Sequence, residues 1–144
     1  MQAVIQEEVS GCGIAASAVL AEISYAQARS VANRLGIHAE DKALWSDTAY
    51  VRRLLSEFGI ACFADEVPFV NWSQLPDRAL LAIKWRQENG RPFWHWVVFV
   101  RDGSGAYVLD SKQSLKQHKR RDFGRMKPKW FIPVGSGYGV YPHA

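Results

Sequence analysis

Cys12 stands between two glycines, in Ser10-Gly11-Cys12-Gly13, directly before a run of small apolar residues. A thiol reacts as its thiolate. A helix N-terminus favours that form by placing unpaired N–H groups and the positive end of the helix dipole beside it. The flanking Gly11 and Gly13 would let a substrate backbone approach closely, which makes them candidate substrate-binding positions. Gln6 lies near enough in sequence to fold back beside the thiol. Its amide and the Cys12 N–H would then form an oxyanion hole. A small buried cysteine in an Ala-rich helix would have the same local sequence, so Cys12 needs partners before it can be read as a nucleophile.

A cysteine nucleophile needs a base, and the base needs a group to orient it. The histidines are His38, His95, His118 and His143. His143 falls in a Gly-rich tail, His118 in a basic run and His38 in a polar loop. Only His95 lies on an expected core strand, within Phe93-Trp94-His95-Trp96-Val97-Val98. The turn Asp102-Gly103-Ser104-Gly105 supplies a test. If Asp102 pairs with Gly105, Val97 faces Asp110 and His95 faces Lys112. Side chains alternate along a strand, so His95 and Asp110 project to one face as diagonal neighbours. Asp110 is then placed to hold the imidazole in one tautomer. Trp94 and Trp96 project to the opposite face, where aromatic residues pack a core. Either could also narrow a substrate cleft.

Three helices and a sheet must position these groups. The Cys12–Ile23 stretch reads as a buried helix that starts at the cysteine. Ser24 and Gln27 fit a capping box for a second helix, with its stripe at Ala28, Val31, Ala32 and Leu35 and its stop at Gly36. A third has its stripe at Val51, Leu54, Leu55 and Phe58, a stop at Gly59 and a cap at Ser46 or Asp47. Strands are expected at Ile60–Ala64, Ala79–Trp85, Phe93–Arg101, Ala106–Asp110 and Trp130–Val134, with Arg86–Pro92 as a turn region around Asn89-Gly90. Helices first and an antiparallel sheet second give an α+β fold. One domain over residues 1–134 is followed by a Gly-rich tail, 135–144.

Gln6, Gly11-Cys12-Gly13-Ile14-Ala15, His95-Trp96-Val97-Val98 and Leu109-Asp110 together resemble the papain-like cysteine peptidases. The nearest group is the double-glycine-leader peptidases, the N-terminal domains of bacteriocin-exporting ABC transporters. The likeness spans Gln6 to about Val134. It implies Cys12 as nucleophile, His95 as general base and acid, Asp110 as orienter and Gln6 as oxyanion donor. It further implies N-terminal helices packed on a C-terminal antiparallel sheet, cleavage of a peptide or leader peptide after small residues, no cofactor, and a membrane transporter as partner at the inner face of the membrane. Two positions depart from the group's pattern: Gly11 stands where an acidic residue is usual, and Ser111 where Pro is common. No Walker A sequence is present, so the chain reads as a stand-alone relative or an excised domain. A deamidase or acyltransferase could use the same three groups, and a non-catalytic peptide-binding module could keep the same fold.

Composition narrows the rest. The 144 residues are 48% hydrophobic and include six Trp, enough for a core without disulfide staples. The two cysteines, Cys12 and Cys62, read as free thiols and suggest a reducing, cytoplasmic compartment. No close Cys/His pair is present, so no metal site is expected. The first ten residues lack a signal-peptide pattern, and no apolar run is long enough to span a membrane. Lys112–Lys129 holds eight of the 18 Lys and Arg against one acid, Asp122. This basic patch matches no nucleic-acid module, so nucleic acid is not an expected partner.

Overall fold

A computed structural model describes residues 1–135. Helix α1 (Cys12–Ala21) begins at the cysteine and is buried from Gly13 to Leu20. Its single polar interior residue, Ser17, donates its hydroxyl to the Gly13 carbonyl at 2.9 Å, so nothing polar is left unsatisfied on the apolar cylinder. Glu22, in the left-handed region at φ 58°, closes the helix two residues before the expected Ile23. Helix α2 (Tyr25–Arg34) carries the expected box: Ser24 Oγ accepts from Gln27 N and Gln27 Oε1 from Ser24 N. Helix α3 (Ala49–Glu57) buries Tyr50, Val51, Leu54 and Leu55, with Asp47 Oδ1 holding the Ala49 N–H at 2.9 Å.

The strands are β1 (Val67–Pro68), β2 (Arg78–Glu88), β3 (Arg91–Asp102), β4 (Gly105–Leu109), β5 (Lys119–Arg120) and β6 (Trp130–Pro133). They form one antiparallel sheet in the order β1-β6-β2-β3-β4-β5. Helices ahead of an antiparallel sheet make the chain α+β, as expected. The β3–β4 register pairs Asp102 with Gly105 and Val98 with Leu109, which is the predicted alignment. The helices cover one face of the sheet, over Leu80, Trp96, Val98, Leu109 and Ile132. The other face, with Leu81, Ile83, Val97, Phe99 and Phe131, is closed by Leu75, Trp72 and Met126, the last on the one-turn helix α4 (Phe123–Met126).

Two expectations are corrected. Ile60–Ala64 is not a strand; it contributes one bridge, Cys62 to Val134. Arg86–Glu88 and Arg91–Pro92 are strand rather than loop, and only Asn89-Gly90 turns the chain. Both turn residues have positive φ, 53° and 77°, which matches the twist of a two-residue hairpin. The short strands β1 and β5 and helix α4 lie within segments with no strong period and were not expected. Apart from Gly135, the tail lies outside the described residues.

Candidate active site

The β2–β3 hairpin runs past its neighbours. β6 covers β2 only from Ala79 to Ala82, and β4 covers β3 only from Val98 onward. The edge of β3 ahead of Val98 is therefore open, and the N-terminus of α1 fills it. The Trp96 backbone N–H points to the Cys12 sulfur at 3.5 Å. The thiol thus receives a strand N–H and sits at a helix N-terminus, whose first N–H groups have no intrahelical partner.

His95 and Asp110 meet as the hairpin register requires. His95 Nε2 lies 2.7 Å from Asp110 Oδ1. Nδ1 is then the nitrogen left for Cys12, whose thiol lies close enough to act on the ring. Burial works against a charged imidazole, but Asp110 and Cys12 outweigh it and hold the His95 pKa up at about 9. Asp110 is 0% exposed. Burial alone would raise its pKa. Hydrogen bonds and charge from His95, the Lys112 N–H and Arg120 overcome burial and keep the carboxyl at about 2.

Two residues of the basic run hold Asp110, Arg120 at its carboxylate and His118 at its backbone, and neither was expected at the site. Arg120, on β5, donates from Nη1 to Asp110 Oδ2 at 2.9 Å, while Asp122 fixes the other side of its guanidinium. His118 Nδ1 lies 2.8 Å from the Asp110 carbonyl, and the Asp110 N–H donates to the His118 carbonyl. Arg120 pairs with Val108 across β4–β5, which puts it on the same face as Asp110. The sequence signal was the parity of Arg120 relative to Val108, usable only once β5 is known to pair with β4.

Gln6 is buried in the wall of the cleft, but both its amide hydrogens are committed. Nε2 donates to the carbonyls of Glu8 at 3.0 Å and Val9 at 2.7 Å, and Oε1 accepts from Ser111 Oγ at 2.7 Å. Gln6 therefore braces the turn that delivers Cys12. Ser111 is what anchors it, through both its hydroxyl and its carbonyl, which accepts from Gln6 N.

The two glycines serve a different purpose from the one their flexibility suggested. Both are buried, and tyrosine hydroxyls occupy the space a side chain would need. A Cβ at Gly11 would overlap the Tyr25 hydroxyl, and one at Gly13 the Tyr50 hydroxyl. Tyr25 donates to Glu8 Oε1 at 2.6 Å, so an acid at position 11 would displace this bond. Burial, then the hydrogen bond to Glu8, pushes the Tyr25 phenol far up. Burial, then the charge of Cys12, does the same to Tyr50. Gly11 and Gly13 are thus packing positions beneath the thiol rather than lining ones.

These groups open into a cleft of ≈ 360 Å³. Gln6, Cys12 and His95 lie along it. Trp45, Tyr50, Phe93 and Trp94 form an aromatic side, and Lys84, Arg86 and Lys112 a basic one. Trp94 and Trp96 both contribute lining, yet each is also packed edge-on against Trp130, at 5.1 and 5.2 Å between ring centres. Trp96 is almost wholly buried. Arg91 ties the hairpin to the segment carrying Trp45 through Ser46 Oγ at 2.9 Å, which fixes the aromatic side. Among the described residues, no group of three or more His, Cys, Asp or Glu is arranged to hold a metal ion. None of their helices is long and apolar enough to cross a membrane. The chain matches no family model and no curated protein.

Proposed function

We propose that this chain is a papain-like cysteine peptidase. The observation that carries the proposal is the bonded set Arg120–Asp110–His95, which lines one open cleft with the partly exposed thiol of Cys12. A helix carrying the nucleophile at its N-terminus, packed on an antiparallel sheet that carries the base, agrees with that superfamily. The Cys12 thiolate attacks the peptide carbonyl, and the oxyanion gathers the Cys12 N–H. Gln6 joins as donor when one of its carbonyl bonds opens. Protonated His95 then gives its proton to the departing amine. The neutral ring next takes a proton from water, whose oxygen attacks the thioester and releases the acid and the thiol.

Within the superfamily the double-glycine-leader peptidases are the nearest group. Aromatic groups crowd one side of the thiol, which suits small residues just before the cut. Upstream leader residues would supply affinity from helix α3 or the basic segment, and a transporter at the cytoplasmic membrane face would be the partner. A panel of peptides varying the two residues before the cut, with and without a leader, tests this by mass spectrometry. Cleavage after Gly-Gly or Gly-Ala, dependent on the leader and lost in Cys12→Ala, is expected. Cleavage after bulky residues, indifferent to the leader, would leave a general papain-like protease. Ammonia release without chain cleavage would replace peptidase by deamidase.

A further inference from the structure

Lys84 has φ 54° in the middle of β2, a left-handed backbone that costs a side-chain-bearing residue free energy. It sits in a bulge, where the β2–β3 register shifts between Ile83 and Arg86. Bulges re-aim side chains at the edges of sites. The bulge directs Lys84 into the cleft beside Cys12 and His95, where Lys112 also lines the wall. The two side chains act on each other electrostatically across that wall. Burial, and then Lys112, make it harder for Lys84 to stay charged. The charge of Asp110 offsets this only in part. Asp110 Oδ1 is taken by His95 and the Lys112 N–H, and Oδ2 by Arg120. Among the described residues lining the cleft there is no Asp or Glu. Arg86, the third cation on this wall, is already paired with Glu88.

The position of the pair relative to the chemistry is informative. Ile83, next to Lys84, pairs with His95 across β2–β3, and the backbone of Lys112 bonds Asp110. Both lysines therefore flank the His95 side of the thiol. A base that protonates the departing amine faces the half of the substrate that leaves.

We propose that Lys84 and Lys112 form a carboxylate subsite for the leaving half of the peptide, selecting an acidic side chain or a free terminal carboxylate close behind the cut. This rests on the peptidase reading. A bound carboxylate bridges two cations that otherwise repel and makes charge-assisted hydrogen bonds in a partly desolvated wall.

The test uses peptides that carry the same amphipathic leader helix ahead of the cut: leader-Gly-Gly-Glu-Ala and leader-Gly-Gly-Gln-Ala, both amidated, and leader-Gly-Gly-Ala with a free or an amidated C-terminus. The wild-type protein should cleave the Glu peptide, the free-acid peptide or both with kcat/KM about tenfold or more above the uncharged counterpart. Preference confined to one of them identifies the source of the carboxylate. In Lys84→Met/Lys112→Met the ratio should fall toward one. Lys112→Met alone, at a residue outside any strand, should lower it if the bulge variant does not fold. Equal rates on charged and uncharged peptides, or a preference that survives both substitutions, would overturn the subsite. Titration of the same peptides into Cys12→Ala keeps the two ideas separable. If the wild type cleaves nothing, the peptidase reading fails. The subsite then stands or falls on whether Cys12→Ala binds the carboxylate peptides more tightly than the uncharged ones.

Discussion

Arg120 Nη1 sits 2.9 Å from Asp110 Oδ2, the oxygen that His95 leaves free. The guanidinium neutralises a fully buried carboxylate and holds its plane, so it acts on His95 through Asp110. Asp110→Asn should lower kcat/KM by about 10²- to 10⁴-fold through loss of the imidazole's orientation. Arg120→Gln, a positioning change, should cost about tenfold or more. It should also move the pH profile, which a merely structural residue would not. Arg120→Ala leaves the buried charge unpaired and should destabilise the fold by up to about 3–5 kcal/mol, read by urea denaturation. An Arg120→Ala protein of unchanged stability and activity would remove Arg120 from the site.

The pH dependence has a definite sign. His95 is raised from its ordinary value to about 9, so its contribution to stability is fully present below about 6.5 and is lost as pH rises through about 9. In the proposed mechanism the protonated ring is also the acid for the leaving amine, so kcat/KM should decline over that same alkaline range. Asp110, lowered to about 2, contributes stability that is present above about 3.9 and lost as pH falls toward about 2. An alkaline limb near 6.5 would mean that the His95–Cys12–Asp110 coupling is absent in solution.

The two thiols should differ sharply. Cys62 is buried and its pKa is raised by that burial, whereas Cys12 is partly exposed and receives the Trp96 N–H. Iodoacetamide at neutral pH should modify Cys12 at least about tenfold faster, followed by mass spectrometry. His95→Ala should slow that labelling by removing the partner cation. Equal slow labelling of both cysteines would make Cys12 structural.

Gly11 and Gly13 should tolerate no side chain, for reasons of packing. Gly11→Ala should destabilise by about 1–3 kcal/mol as its methyl meets the Tyr25 hydroxyl. Tyr25→Phe removes that oxygen, so the double variant should recover part of the loss in a thermal-denaturation cycle. Strictly additive losses would show that Tyr25 is not what Gly11 makes room for.

The sequence alone determined the features that rest on neighbours along the chain. The Ser24–Gln27 box, the left-handed Gly36 and Gly59, the Asn89-Gly90 turn and the Asp102/Gly105 register are set within a few residues. A two-residue turn fixes parity for the whole hairpin. This is why the approach of His95 to Asp110 was legible from 15 residues apart. Only the tertiary structure decided what depends on chain segments that meet after long loops close. It pairs β5 with β4 and so brings Arg120 and His118 to Asp110. It fills the spaces beside Gly11 and Gly13 with tyrosines from α2 and α3, and it spends the Gln6 donors on the turn before Cys12. It also reduces Ile60–Ala64 to one bridge and turns Lys84 into the cleft through a bulge. Residue type reports what a side chain can bond, but its partner is chosen by packing between segments that carry no local record of each other.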